Sequence, residues 1–171
     1  ETSRMATLPA SKFVSLLAKE VRHLISQCIV INSTAFEGEE DGKPAFIGSK
    51  TETALLSFAK ERLGIGAVAE ERANAHIIQI VPFDSSRKYM ASIVKLGNGN
   101  FRMYVKGAPE ILLDKSTRVI ADVTDRLGSV LIGENRELLI DTIERYSSHS
   151  LRTIGLAYRD FQCWPPPGAR T

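Results

Sequence analysis

Four short stretches of this chain carry side chains suited to an aromatic, phosphorylated ligand. In "FRMYVKGAPEILL" (101–113) an alternating run ends in Lys106, and Gly107 follows. A lysine ammonium at a strand end, beside a residue with no Cβ, suits a phosphate oxygen or the edge of a base. The same pair also reads as a solvated lysine followed by a turn glycine. In "PFDSSRKYM", Phe83 offers a ring face for stacking a purine, and Arg87 and Lys88 offer cations for phosphate oxygens. The bland alternative is a core phenylalanine with a basic hairpin turn. In "SKTETALL", Glu52, next to Thr51, can accept from the amino group of a base or complete a capping box begun by Ser49. Arg152 in "LRTIG" can clamp a phosphate or pair with a surface carboxylate.

The elements that must position these groups follow from periodicity. Phe13, Leu16, Leu17, Val21, Leu24, Ile25 and Cys28 recur at spacings of three and four, which predicts an amphipathic helix over 11–28. Residues 36–48 are acidic and aperiodic, so a loop or an exposed edge hairpin is expected. A second helix is predicted over 49–64, with Ser49 as N-cap and Gly64 as its stop. The period then changes to two. Runs at 76–83, 88–96 and 100–107, separated by "DSSR" and "GNGN", predict adjacent antiparallel strands.

In the third run, alternation puts Arg102, Tyr104 and Lys106 on a face that can be polar, and Phe101, Met103 and Val105 on the other. Pro109 opens a short helix, 134–150 reads as another, and 151–161 as a final strand; the tail "CWPPPGART" cannot pair in a sheet. Helices interspersed with hairpins, without repeated βαβ units, predict a single α+β domain over 1–171, a mainly antiparallel sheet flanked by helices.

Composition narrows the partners. The 171 residues carry 22 Lys and Arg against 20 Asp and Glu, and a net charge of +2 gives no general attraction to nucleic acid or to a membrane surface. No apolar run reaches the roughly 18 residues of a membrane span, so a soluble chain without direct membrane contact is expected. Two cysteines, Cys28 and Cys163, supply neither a disulfide framework nor a metal motif, and point to a reducing compartment. The "NST" at Asn32 is taken as a chance match to a glycosylation acceptor. Gly42, Gly48, Lys50 and Thr51 fail the phosphate-loop spacing, because five residues separate the glycines and Ser49 precedes the lysine. His23, His76 and His149 stand in no metal or triad spacing, so self-contained catalysis has no support.

Taken in order, "TETALLSF", "PFDSSRK", "KGAPE" and "LRTIGLAYRDF" resemble the nucleotide-binding domain of P-type ATPases, ion pumps that phosphorylate their own aspartate. The resemblance runs from about Leu8 to Phe161 and is nearest in character to calcium pumps of the plasma-membrane type and their fungal vacuolar relatives. It implies that Phe83 stacks on adenine with Lys88 near the nucleotide. It further implies that Glu52, flanked by Thr51, reaches the adenine amino group, that Lys106 and Gly107 line the inner pocket, and that Arg152 faces the phosphates. Many family members carry a further arginine two residues after the stacking phenylalanine; Ser85 stands there in this chain, which shifts phosphate binding toward Arg87 or Arg152.

The resemblance also implies ATP, with Mg2+ bound alongside it, and phosphorylation, actuator and transmembrane domains as partners within one full-length pump. The "DKTGT", "TGES" and "GDGxND" segments of such pumps are not in this chain. The expectation is therefore a cytosolic domain excised from a vacuolar or plasma-membrane protein, its ends at Glu1 and Thr171 once joined to the phosphorylation domain. A pump for another cation, or a non-catalytic interaction module using the 11–28 helix as its surface, are the alternatives.

Overall fold

A computed structural model describes residues 9–125 and 128–169. The expected junctions at Glu1 and Thr171 lie outside the described residues. Where periodicity predicts one helix over 11–28, two form, α1 (Ala10–Leu16) and α2 (Lys19–Val30). Leu17 and Ala18 between them are extended, with ψ of 130° and 146°. The Ala18 N–H donates to the Val123 carbonyl at 2.9 Å, a partner from the far side of the sequence, instead of to its own helix. The break turns Leu17 into the core beside Val14 and Val21, while Phe13 and Leu16 of the predicted apolar face are exposed.

The acidic segment forms a hairpin of β1 (Phe36–Glu40) and β2 (Lys43–Ile47). Its two-residue turn places Asp41 and Gly42 at φ of 53° and 73°, the paired left-handed conformation that matches strand twist. Helix α3 (Lys50–Phe58) starts as predicted, with Ser49 Oγ accepting from the Glu52 N–H at 3.3 Å. It runs on through a π-helical turn at Ala59–Leu63 to Gly64, whose φ of 72° stops it. A short helix, α4 (Val68–Asn74), escapes periodicity because Val68 is its one buried anchor.

Strands β3 (His76–Asp84), β4 (Tyr89–Lys95) and β5 (Phe101–Gly107) follow, then α5 (Pro109–Lys115) with proline in its first turn. A minor hairpin, β6 (Arg118–Val119) with β7 (Val130–Leu131), leads to α6 (Arg136–Ser148) and the last strand, β8 (Gly155–Phe161). The main sheet is antiparallel in the order β3-β4-β5-β8, flanked by helices, which is the expected α+β architecture. β8 begins four residues later than predicted because its partner β5 ends in the Gly107–Gly155 pair and turns away into α5, and Leu151 donates its N–H to the Tyr146 carbonyl at 3.0 Å instead of to a strand. Pairing of β3 with β4 shifts register twice, between Ile77 and Gln79 and between Val81 and Asp84.

Both faces of the sheet are covered. Leu24 and Cys28 of α2, with Ile31 just past its end, pack on Val94 and Tyr104, while Leu112 of α5 packs on Ala91 and Val105. The face of Arg102, Tyr104 and Lys106 is therefore not an open polar one, since Tyr104 and Lys106 are buried beneath the helical layer. A separate helical core joins Val14, Val21, Ile29, Leu56, Leu63 and Val68. Among the described residues the tail makes no strand. Trp164 packs edge-on against Phe161 at 5.3 Å, and its indole N–H donates to Gln79 Oε1 at 3.1 Å, linking the end of β8 to β3 on the other side of the sheet. Among the described residues, no helix is long and apolar enough to cross a membrane.

Cys28 and Cys163 have opposite surroundings. Burial pushes the Cys28 thiol up to about 12, against the pull of the Lys106 charge, and its S–H lies 3.7 Å from the Val105 carbonyl; Cys163 is exposed. Because the thiolate is the reactive form, one thiol per chain, Cys163, should react with an alkylating reagent in the native state. Cys28 should become reactive only in denaturant, and mass spectrometry of the labelled peptides checks this.

Candidate functional site

Strand register gathers the singled-out residues at one end of the sheet. Asp84, Tyr89, Gly107 and Gly155 form one row across β3, β4, β5 and β8, and Met90, Lys106 and Leu156 form the row beneath. Phe83 and Lys88 adjoin the first row, and Arg152 lies three residues before it on the approach to β8. The first turn of α3 meets the same end. Lys106 Nζ donates to Glu52 Oε1 at 2.9 Å, and an Arg152 guanidinium N–H donates to Thr51 Oγ1 at 3.2 Å. Thr51, Glu52, Lys106 and Arg152 are thereby brought together by contact, with Gly107 adjoining and Phe83, Arg87 and Lys88 on the neighbouring hairpin.

The Lys106–Glu52 pair is buried, at 5% and 7% exposure. This removes the solvated-lysine reading. It also leaves the capping box half made, because Ser49 caps the Glu52 backbone while the Glu52 side chain turns inward instead of back to Ser49. Oε1 accepts from both Lys106 Nζ and the Thr34 N–H, the latter at 3.1 Å, and Oε2 accepts from Thr34 Oγ1 at 2.8 Å. Burial by itself would raise the Glu52 carboxyl; the hydrogen bonds and charge of Lys106, with those of Thr34, outweigh it and hold the group below its ordinary value. Burial lowers the Lys106 ammonium below its usual value, and the Glu52 carboxylate only partly offsets this. Arg72 of α4 adds a second positive charge toward Glu52 while its Nε–H donates to the Val30 carbonyl at 2.9 Å.

On the hairpin, Phe83 is 60% exposed, so its ring face is open to solvent. The turn that presents it is pinned by Asp84, whose Oδ1 accepts from the Ser86 hydroxyl, the Ser86 N–H and the Arg87 N–H and is held below the ordinary carboxylate range by those bonds. Ser85, beside Asp84 in this turn, is exposed. Arg87 is folded onto its own hairpin: one guanidinium N–H donates to the Pro82 carbonyl at 2.6 Å, and the group lies 5.4 Å from the centre of the Tyr89 ring. Lys88 is exposed at φ of 60°, and its carbonyl accepts from the Ala108 N–H at 3.0 Å. The space beside Gly107 belongs to the protein itself. A Cβ there would stand 2.4 Å from the Lys88 carbonyl oxygen and 2.6 Å from the Tyr89 Cβ, so the glycine is required for strand packing.

Thr34 is the partner of Glu52 that sequence reading passes over. It stands in the "NST" set aside as a chance glycosylation match, and nothing in its local pattern reveals a bond to a carboxylate eighteen positions on. The structure closes that acceptor: Asn32 is fully buried, its amide donates to the Met90 carbonyl at 3.4 Å, and its Oδ1 accepts from Ser92 Oγ at 3.1 Å. The residues present do not by themselves fit a Mg2+ site, because among the described residues no three His, Cys, Asp or Glu side chains converge.

The structure thus sets a buried cation on a central strand, locked to a helix-borne carboxylate, beside an exposed aromatic hairpin. The profile of the family described as P-type ATPase, cytoplasmic domain N, matches residues 20–169, and the chain belongs to this family. It is similar to calcium-transporting ATPase 2 of Cryptococcus neoformans var. grubii, at 41% identity over 88% of this chain and 11% of that protein. It is also similar to calcium-transporting ATPase PAT1 of Dictyostelium discoideum, at 40% identity over 85% of this chain and 13% of that protein. Plasma membrane calcium-transporting ATPase 4 of Bos taurus is 34% identical over 88% of this chain and 13% of its own length. The chain thus spans about an eighth of the length of these relatives.

The geometry sets two outcomes. Gly107→Ala forces backbone apart at the β4–β5 junction and should cost about 1–3 kcal/mol of stability, read as a lower urea midpoint with unchanged slope. Lys106→Met leaves the buried Glu52 carboxylate without its counter-charge and should cost about 3–5 kcal/mol at pH 7. Because the folded-state pKa of Glu52 is depressed, its contribution is fully present above the unfolded value of about 4.5 and is lost as pH falls through the folded value. The deficit of Lys106→Met should accordingly narrow below that pH, where the carboxyl of the variant is neutral, and urea unfolding followed by circular dichroism at pH 7 and pH 4 checks it.

Proposed function

We propose that this chain, as a single domain over 1–171, is the ATP-binding domain of a calcium-transporting P-type ATPase and holds ATP mainly by its base. Phe83 stacks on the adenine ring. Glu52, an acceptor-only group when ionised, takes the adenine amino N–H, while Lys106 fixes that carboxylate and closes the inner end of the pocket beside Gly107. Arg152, steadied by Thr51, meets the phosphates with Lys88, and Arg87 shapes the hairpin from behind through Pro82 and Tyr89. The observation that carries the reading is the exposed Phe83 ring at the same sheet end as the buried Lys106–Glu52 pair.

Phosphoryl transfer is mostly a matter of positioning and charge stabilisation. The role of this domain is to present the γ-phosphate to an aspartate on a separate phosphorylation domain, which with actuator and transmembrane domains completes the pump. Mg2+, bound with the nucleotide and that other domain, neutralises phosphate charge. The names of the relatives support calcium as the transported ion, and the domain works on the cytosolic side of a vacuolar or plasma membrane.

Titration of the 171-residue chain with ATP, followed by NMR, tests the reading. Resonances of Glu52, Phe83, Lys106 and Arg152 should shift. Phe83→Ala should lose the stack, about 1–3 kcal/mol, and at about 1.4 kcal/mol per tenfold this weakens binding at least several-fold. Absence of shifts at millimolar ATP, or shifts indifferent to Phe83, would overturn it.

A further inference from the structure

We infer that Thr34 is a positioning residue of the nucleotide site, its hydroxyl holding Glu52 Oε2 as a fixed acceptor that separates a base amino group from a base carbonyl. The inference rests on the nucleotide reading above and deepens it. Glu52 Oε1 is saturated, with Lys106 Nζ at 2.9 Å and the Thr34 N–H at 3.1 Å. Among the described residues Oε2 accepts from Thr34 Oγ1 alone, at 2.8 Å, and so keeps acceptor capacity for a ligand. Thr34 is itself exposed while Glu52 is buried, which puts the hydroxyl on the solvent side of the carboxylate, where a base arrives. The amino group of adenine is a donor and the O6 of guanine an acceptor. An Oε2 that cannot rotate away or take up a proton attracts the first and repels the second.

The other charged or titratable groups around the carboxylate are Lys106 from β5, with Cys28 of α2 behind it, and Arg72 from α4, which in turn faces Glu37 of β1. None of these reaches Oε2 in the hydrogen bonds described, so removing the Thr34 hydroxyl changes one contact on one oxygen.

Two readouts on the 171-residue chain test the inference. The Glu52 side-chain carboxyl is titrated by 13C NMR without nucleotide, and binding of ATP and GTP is compared by calorimetry. Thr34→Val, which keeps the backbone N–H bond and loses the hydroxyl, should move the Glu52 midpoint up and shrink the preference for ATP over GTP by about tenfold. Thr34→Ser should restore both; Thr34→Ala serves as a second hydroxyl-free variant should the valine impair folding. An unaltered chain that binds ATP, with a preference unchanged in the hydroxyl-free variants, overturns the role of Thr34 and leaves the nucleotide reading standing. An unaltered chain that binds neither nucleotide overturns that reading, and the role of Thr34 with it.

Discussion

The Lys106–Glu52 pair is the joint between the sheet and the helical layer, and the arrangement of the site hangs on it. Lys106 stands one residue before the end of the central strand β5, and Glu52 in the first turn of α3, so one contact of 2.9 Å fixes how that turn meets the end of the sheet. Withdrawing two charges from water costs several kcal/mol each, and their attraction offsets this only when the remaining hydrogen-bonding positions are also filled. Thr34 fills two of them, with its N–H on Oε1 and its hydroxyl on Oε2. The approach of α3 then puts Thr51 within reach of Arg152, across more than a hundred residues of sequence.

Local rules were enough wherever the cause of a structure was local. The Ser49 cap, the Gly64 stop, the proline at the head of α5 and the three alternating strands all arise from contacts within a few residues, and each stands where the pattern puts it. The failures share the opposite cause. The helix over 11–28 breaks because Val123 supplies the carbonyl that Ala18 bonds. Alternation sorted Lys106 correctly onto the face of Tyr104 but could not show that α2 covers that face. Glu52 was legible both as a capping residue and as a site residue, and only its distant partners Lys106 and Thr34 decide which way its side chain turns.

The site combines an immobile interior with an open rim. Inside, the carboxylate of Glu52 is held from three sides, and Gly107 lets β4 and β5 close on each other with no room to spare. At the rim, Phe83 is exposed, yet the Asp84 turn behind it is held by three hydrogen bonds from Ser86 and Arg87. An exposed ring on a fixed turn loses little conformational freedom when a flat ligand covers it, which is how preorganisation raises affinity without adding contacts.

The two register shifts along β3 have a further consequence. β3 is an outer strand of the main sheet, and Ile78 and Ile80 on it are exposed. A straight outer strand carrying apolar side chains is a template on which another chain can add itself, the first step toward aggregation. The shifts between Ile77 and Gln79 and between Val81 and Asp84 interrupt the even spacing of backbone donors and acceptors that such an addition needs. The Trp164 indole, bonded to Gln79 between those two interruptions, obstructs the same strand from the tail. The irregularity of β3 thus makes the outer edge of the sheet a poor template for a further strand.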